Sequence, residues 1–210
     1  MRDSGDYWVL IEVNEASMGG RPKSDGPDTI EELMRNTRNN PLEDLGMHLP
    51  LICDRYEIRD DVFPGAGKFR GGAGVVKSQR FLSPGFVTHE SDRHEDAPWG
   101  VFGGHPGMVG KMEVDNIFDP SKKRSAYAKF SGLRVDEGDV VSYFSPSGGG
   151  YGSPLERDPA KVLDDVLDDF ISVEHAFEVY GVVFDDVDDG YGYAVNAAKT
   201  QTRRAELARA

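Results

Sequence analysis

The sequence predicts an α+β fold: a β-rich body of short strands joined by glycine-rich turns, closed by a helical segment at the C-terminus. Three observations predict it. Most of the 25 glycines fall between residues 61 and 154. In the same stretch the apolar runs are short and alternate with polar residues, as in GVVKSQRFL, GFVTHE and LRVDEGDVVSYFS, the period of strands bounded by turns. From residue 155 onward the period becomes that of helices. At 210 residues the chain suffices for one domain or two small ones. The reading divides it into a body over 1–154 and a helical segment over 155–210 packed on that body.

In chain order, YWVLIEV is a strand candidate. It is expected to pair with another polypeptide or to pack on this chain's own sheet, because Trp8, Leu10 and Ile11 would otherwise leave an apolar surface and a free edge. A polar loop rich in glycine and proline follows, around a short helical stretch, TIEELMRN. The run LPLICDRY holds the single cysteine, Cys53, read as a buried, inert thiol; one cysteine excludes an internal disulfide. The stretch GVVKSQRFLS reads as a strand. In RDPAKVLDDVLDDFI, Asp158 is the expected N-cap and Pro159 the first helical residue, with Val162, Leu163, Val166, Leu167 and Phe170 on one face. A second helix is expected from Ser172 to Gly181, with Val173, Phe177 and Tyr180 inward. The acidic pairs Asp164-Asp165 and Asp168-Asp169 read as a solvated face. The tail AAKTQTRRAELARA reads as a frayed or partner-bound helix.

Charge narrows the partners. With 37 acidic and 24 basic residues the net charge is −13, which repels the phosphates of nucleic acid and of anionic membranes. The N-terminus lacks signal-peptide features, and no apolar run reaches the ~18 residues of a membrane span. The expectation is a cytoplasmic protein with neither nucleic acid nor membrane as partner.

The stretch FPGAGKFRGGAG looks like a phosphate loop and fails the test for one. Counting back from Gly67-Lys68, the first glycine of G-x-x-x-x-G-K-[ST] falls on Val62 and the hydroxyl on Phe69, while in G-x-G-x-x-G the third glycine falls on Arg70. A strand, not a helix, follows. The glycines then serve positive φ or close backbone approach. HESDRHEDAPW packs His89, Glu90, Asp92, Arg93, His94, Glu95 and Asp96 together, which reads either as a metal or acid–base site or as a charged surface loop. The five histidines show no metal-ligand spacing, so no metal ligand is assigned. Trp99, in PWGVFGGHPG, is either packed in a hairpin or an aromatic wall beside a pocket; packing predicts that its truncation costs roughly 3–5 kcal/mol.

Taken together, DVFPGAGKFRGGAGVV, SDRHEDAPWGVFGGHPG, LRVDEGDVV and SPSGGGYGSPLERDPAKVLDDVLDDFISVEHAFEVYGVV, in this order, resemble the C-terminal part of the hydantoinase B/oxoprolinase family. GGRPKSDGPDTIEELMRNTRNNPLEDLGMHLPL is similar to the segment before the family's glycine turn. The resemblance implies a subunit or half-subunit of an ATP-dependent hydrolase of cyclic amides such as hydantoins, lactams or 5-oxoproline, inactive alone. Its alternatives are a subunit of an ATP-dependent ketone carboxylase and a non-catalytic scaffold. It implies as partners a hydantoinase A-type ATP-binding subunit and the N-terminal part of a B-type subunit. ATP with magnesium and a divalent metal are expected on those polypeptides, with no cofactor on this chain alone. Arg70, Asp92, Arg93 and Trp99 are the candidates for substrate or phosphate contact; for Arg70 the alternative is fixing the turn against a neighbouring acid. Structural glycine turns are expected at Gly65, Gly67, Gly71, Gly72, Gly103, Gly104, Gly148, Gly149 and Gly150. Departures from the pattern at Ser145-Pro146-Ser147 and Gly46 bear on fine substrate contacts.

Overall fold

The computed structural model describes residues 7–31, 37–187 and 192–209. Its centre is an antiparallel sheet in the order β1-β2-β7-β4-β5, formed by Leu51–Ile58, Val75–Phe81, Asp139–Phe144, Lys111–Asn116 and Arg124–Ala126. A two-stranded ribbon, β3 (Gly85–Glu90) with β6 (Lys129–Val135), packs beside it. Leu51, Phe81, Met112, Val114, Val135 and Val141 form the core they share. A second core, Val162, Val166, Ile171, Ala176, Tyr180 and Val182, gathers α2 (Pro159–Leu167), α3 (Val173–Glu178) and the chain after them around Ala66 of the body. A small ribbon, β8 (Phe184–Asp186) with β9 (Tyr193–Val195), and α4 (Ala197–Leu207) complete the C-terminal segment. Among the described residues no helix is long and apolar enough to cross a membrane.

Local rules explain the helix starts. Asp158 caps α2 by accepting from the Ala160 N–H, with Pro159 first in the helix, and Ser172 caps α3 by accepting from the His175 N–H. The helix α1 (Leu42–His48) was not anticipated; it starts after Pro41 and carries Glu43 and Asp44 in its first turn, where the helix dipole favours them.

Several expectations are corrected. YWVLIEV, read as a strand, is extended but joins no sheet; of its two expected arrangements, packing on this chain's own sheet is met by Trp8 and Leu10, whereas Ile11 is exposed, and Glu12 pairs with buried Lys77 at 2.8 Å. In TIEELMRN, Thr29 is left-handed and Ile30 bridges to Ala16, so the stretch does not open as a helix; residues 32–36 lie outside the described residues. Cys53 is only half-buried, at a bulge of β1. On α3, Val173 and Phe177 face outward while Ala176 faces in against the second core; Tyr180, just past the helix, is buried there as expected. Leu167 is exposed as well. The tail is not frayed: Thr200 is buried, and Arg204 donates to the Tyr180 and Arg157 carbonyls.

Most of these glycines form something other than turns. Of the nine expected as turns, Gly103 has a left-handed φ and Gly104 closes the same turn by donating to the Val101 carbonyl at 3.0 Å, while Gly67 lies in a bend. The others lie outside the sheets, packed side by side. Gly65 donates to the Gly148 carbonyl, Gly148 to Gly72, Gly72 to Met18, Gly20 to Gly149, and Gly150 to His105, each at 2.8 or 2.9 Å. A Cβ on Gly148 would overlap the Met18 carbonyl, one on Gly149 the Trp99 carbonyl, and one on Gly150 the Ala66 carbonyl. Three successive residues thus face three different neighbouring segments, the threefold period of a polyproline-type helix. Only glycine lets main chains approach this closely on every side. The result is a bundle whose interior is backbone.

Candidate functional site

Two gatherings of ionisable residues hold the candidates named from the sequence. The first lies against the glycine bundle. Arg70 Nη1 donates to Asp28 at 2.8 Å and to the Gly71 carbonyl at 2.9 Å, and its Nε donates to Asp165 at 2.9 Å. Arg157 reaches Asp165 at 2.8 Å and grips both oxygens of Asp25, at 2.6 and 3.1 Å. Phe170 stacks on the Arg70 guanidinium, 4.1 Å away. The side chains of Arg157 and Asp165 are only 1% and 6% exposed. Asp165 therefore corrects the solvated-face reading: it turns inward from α2 because two guanidiniums meet it there.

Electrostatics separate the acids. Burial pushes the Asp165 carboxyl up more than Arg157 and Arg70 pull it down, so the net shift is upward. Asp25 is less buried. Burial raises it too, but Arg157 and then Arg70 outweigh that and hold it below the usual carboxylate range. Asp28 adds a bidentate grip on Arg70 and accepts from the Ala73 N–H at 2.6 Å. Arg70 thus has internal carboxylate partners, the arrangement of a residue fixing its own loop.

The second gathering is the loop after β3. Asp92 is exposed and pairs with Lys129 at 2.9 Å. Arg93, with φ of 63°, stacks on Trp99 at 4.5 Å. Asp92 and Arg93, but not Trp99, border a cleft of about 660 Å³ lined also by His94, Lys111 and Tyr127. Trp99 is 67% exposed, which overturns the packed-hairpin reading and the large truncation cost attached to it. The structure brings Asp92, Arg93 and Trp99 into one loop and leaves Arg70 apart, in the network by the bundle.

Beneath this loop, Ser91 Oγ lies 2.9 Å from both His89 Nε2 and His94 Nε2. Burial pushes both imidazoles below the usual histidine range. His89 also borders a larger, mostly apolar cavity of about 790 Å³ between the N-terminal segment, the central sheet and β3. Among the described residues no three His, Cys, Asp or Glu side chains converge as a metal site.

Sequence reasoning missed Asp25, Asp28, Arg157 and Ser91. The H-x-S-x-x-H spacing of residues 89 to 94 was a signal for Ser91; Asp25 and Arg157, 132 positions apart, carried none.

The family model described as Hydantoinase B/oxoprolinase matches residues 1–154. A protein of Pseudomonas sp. (strain NS671) described as the B-type subunit of a D-/L-hydantoinase is 42% identical over 186 residues, covering 88% of this chain and 31% of its own length. The crystal structure of the ATP-dependent caprolactamase from Pseudomonas jessenii superposes with a TM-score of 0.70 at 25% identity, over 91% of this chain and 33% of that one. A nucleotide-free acetone carboxylase structure shares the fold, with a TM-score of 0.74 at 21% identity over 93% of this chain and 30% of that one. The chain spans about a third of the length of these relatives.

Proposed function

Because the chain belongs to the hydantoinase B/oxoprolinase family, we propose that it is one part of an ATP-dependent enzyme that opens cyclic amides of the hydantoin, lactam or 5-oxoproline type. The observation that carries this reading is the 42% identity with a protein described as a B-type hydantoinase component, sustained over 88% of the chain. In the reaction proposed, ATP held by an A-type subunit phosphorylates the amide oxygen and leaves as ADP, which turns a poorly electrophilic carbonyl carbon into one that water attacks; the ring C–N bond then breaks as the nitrogen takes a proton, and a second water releases phosphate from the acyl phosphate to leave a carboxylate.

The chain's own contribution follows from its construction. Its glycine bundle and the Arg70–Asp165–Arg157 network hold the loops rigidly, and the surface of Asp92, Arg93 and Trp99 stands on that support. Precise placement of this kind suits one wall of a substrate pocket. ATP and the metal belong, in this reading, to the A-type subunit and to the remainder of a B-type subunit.

The test supplies those partners. Co-expression with an A-type subunit and the remainder of a B-type subunit is expected to yield ADP release coupled to ring opening of hydantoin, caprolactam or 5-oxoproline, followed by chromatography of the product. The chain alone is expected to turn over no ATP above a protein-free control and to carry no stoichiometric metal. Substrate-dependent ADP release by the single chain, or one equivalent of metal in it, overturns this division of labour. Carboxylation of a ketone by the assembly identifies the carboxylase alternative, and full activity with Asp92, Arg93 and Trp99 all replaced by alanine identifies a scaffold.

A further inference from the structure

We propose that residues 7 to 13 are a docking strand, on which a β-strand from the remainder of a B-type subunit pairs through its main chain. This rests on the proposed function for the identity of the partner and on this chain's geometry for the surface. The segment is extended and its side chains alternate, Trp8, Leu10 and Glu12 inward, Tyr7, Val9 and Ile11 outward at 85%, 71% and 83% exposure. Among the described residues, none of its main-chain N–H or C=O groups bonds to another part of the main chain. A ribbon anchored on one face, with unpaired edges and an apolar outer row, has the chemistry of a strand-addition site.

Two further observations select the occupant. A complete relative carries about twice as much polypeptide again as this chain, which spans 31% of the hydantoinase component and 33% of the caprolactamase chain. A second copy of this chain is disfavoured because each carries a net charge of −13. The incoming strand is expected to present small or branched apolar side chains to Tyr7, Val9 and Ile11. Continuity reaches beyond the ribbon: Phe86, 75% exposed, stands at the rim of the same apolar cavity that Trp8 and Leu10 border.

The experiment uses the full chain co-expressed with the remainder of a B-type subunit, with a photo-crosslinking phenylalanine analogue at position 9. Crosslinking to the B-type polypeptide, together with slowed amide exchange at Val9 and Ile11 in the complex, is the expected result. Ile11→Lys should weaken the complex at least about tenfold, as loss of one buried aliphatic contact does, without moving the melting temperature of the chain alone. Crosslinks to a second copy, or unprotected amides and an unchanged affinity for Ile11→Lys, overturn the proposal. Crosslinking and ring opening are read separately, so docking with no amide hydrolysis refutes the proposed reaction and leaves the docking strand standing.

Discussion

The glycine bundle with its ionic network and the charged loop after β3 are built from similar residue types and behave oppositely. Around the bundle, two arginines and three acids are held among backbones that leave no room for side chains. On the loop, Asp92, Arg93 and Trp99 pair with each other or with Lys129 at the surface, where solvent screens them. A charged residue's role is therefore set by what surrounds it. Charge density along the sequence pointed to the loop, whereas the interactions that hold the fold lie in the network.

The largest effect should come from Arg157→Met. The network holds Arg70 and Arg157 against Asp25, Asp28 and Asp165, one more acid than base. Removing a guanidinium leaves three carboxylates around one, and breaking a buried pair this way costs on the order of 3–5 kcal/mol. Asp165→Asn should cost clearly less, because it relieves the excess of acid and removes a carboxylate already disfavoured by burial. Urea denaturation of both variants checks the order; equal losses would show that the net charge of the network does not matter.

Next is Gly149→Ala. Its methyl would overlap the carbonyl oxygen and carbon of Trp99, main-chain atoms already engaged in the bundle, so the strain has no flexible side chain to absorb it. Overpacking typically costs roughly 1–3 kcal/mol and more where backbone must shift. Gly132 is the control: nothing lies within 4 Å of its Cβ position and its φ is +69°, so alanine there should cost about 1 kcal/mol from left-handed backbone alone. Melting temperatures separate the two; a larger drop at Gly132 would mean that the bundle tolerates side chains.

The network also has a pH signature. The folded carboxyl of Asp25 lies below its unfolded value, near 3.9. Its contribution is therefore fully present above about pH 4 and is lost as pH falls through the folded value. Asp165 has the opposite sign, since its folded value is raised and its ionisation costs stability as pH rises. Asp25→Asn should be less stable than the parent at pH 7, with the gap narrowing below pH 4 in denaturation series. A gap that stays constant with pH would assign Asp25 a role independent of its charge.

How much of this was legible in the sequence follows the range of the interactions. Strands β2, β3 and β7, the Asp158 cap, the helix start at Ser172 and the family resemblance all rest on neighbours a few residues apart, and they were readable. The bundle was half readable: close approach was one of two readings of the glycines, but nothing local shows that Gly148, Gly149 and Gly150 face segments around Met18, Trp99 and Ala66. The buried role of Asp165 was unreadable because one partner, Arg70, lies 95 positions away, and the nearer one, Arg157, lies eight residues away, outside the three- and four-residue spacing by which helix pairs are read. The outward turn of Trp99 was hidden for a related reason, since its main chain and its side chain belong to different regions.

That division also yields the smallest effect. The carbonyl of Trp99 packs against Gly149 inside the bundle, while its indole is 67% exposed and carries the Arg93 guanidinium at 4.5 Å. Trp99→Ala keeps the backbone and removes only the exposed ring. An exposed cation–π contact is worth about 0.5–1 kcal/mol, so the melting temperature should fall by far less than the truncation of a packed tryptophan would require, and less than for Gly149→Ala, which strikes the Trp99 main chain inside the bundle. If the indole forms a wall of the substrate pocket in the assembled enzyme, the same variant should raise KM for the cyclic amide while the stability of the chain stays close to the parent. A loss of several kcal/mol on removing the indole would place Trp99 in the interior after all and dissolve the boundary between the two regions.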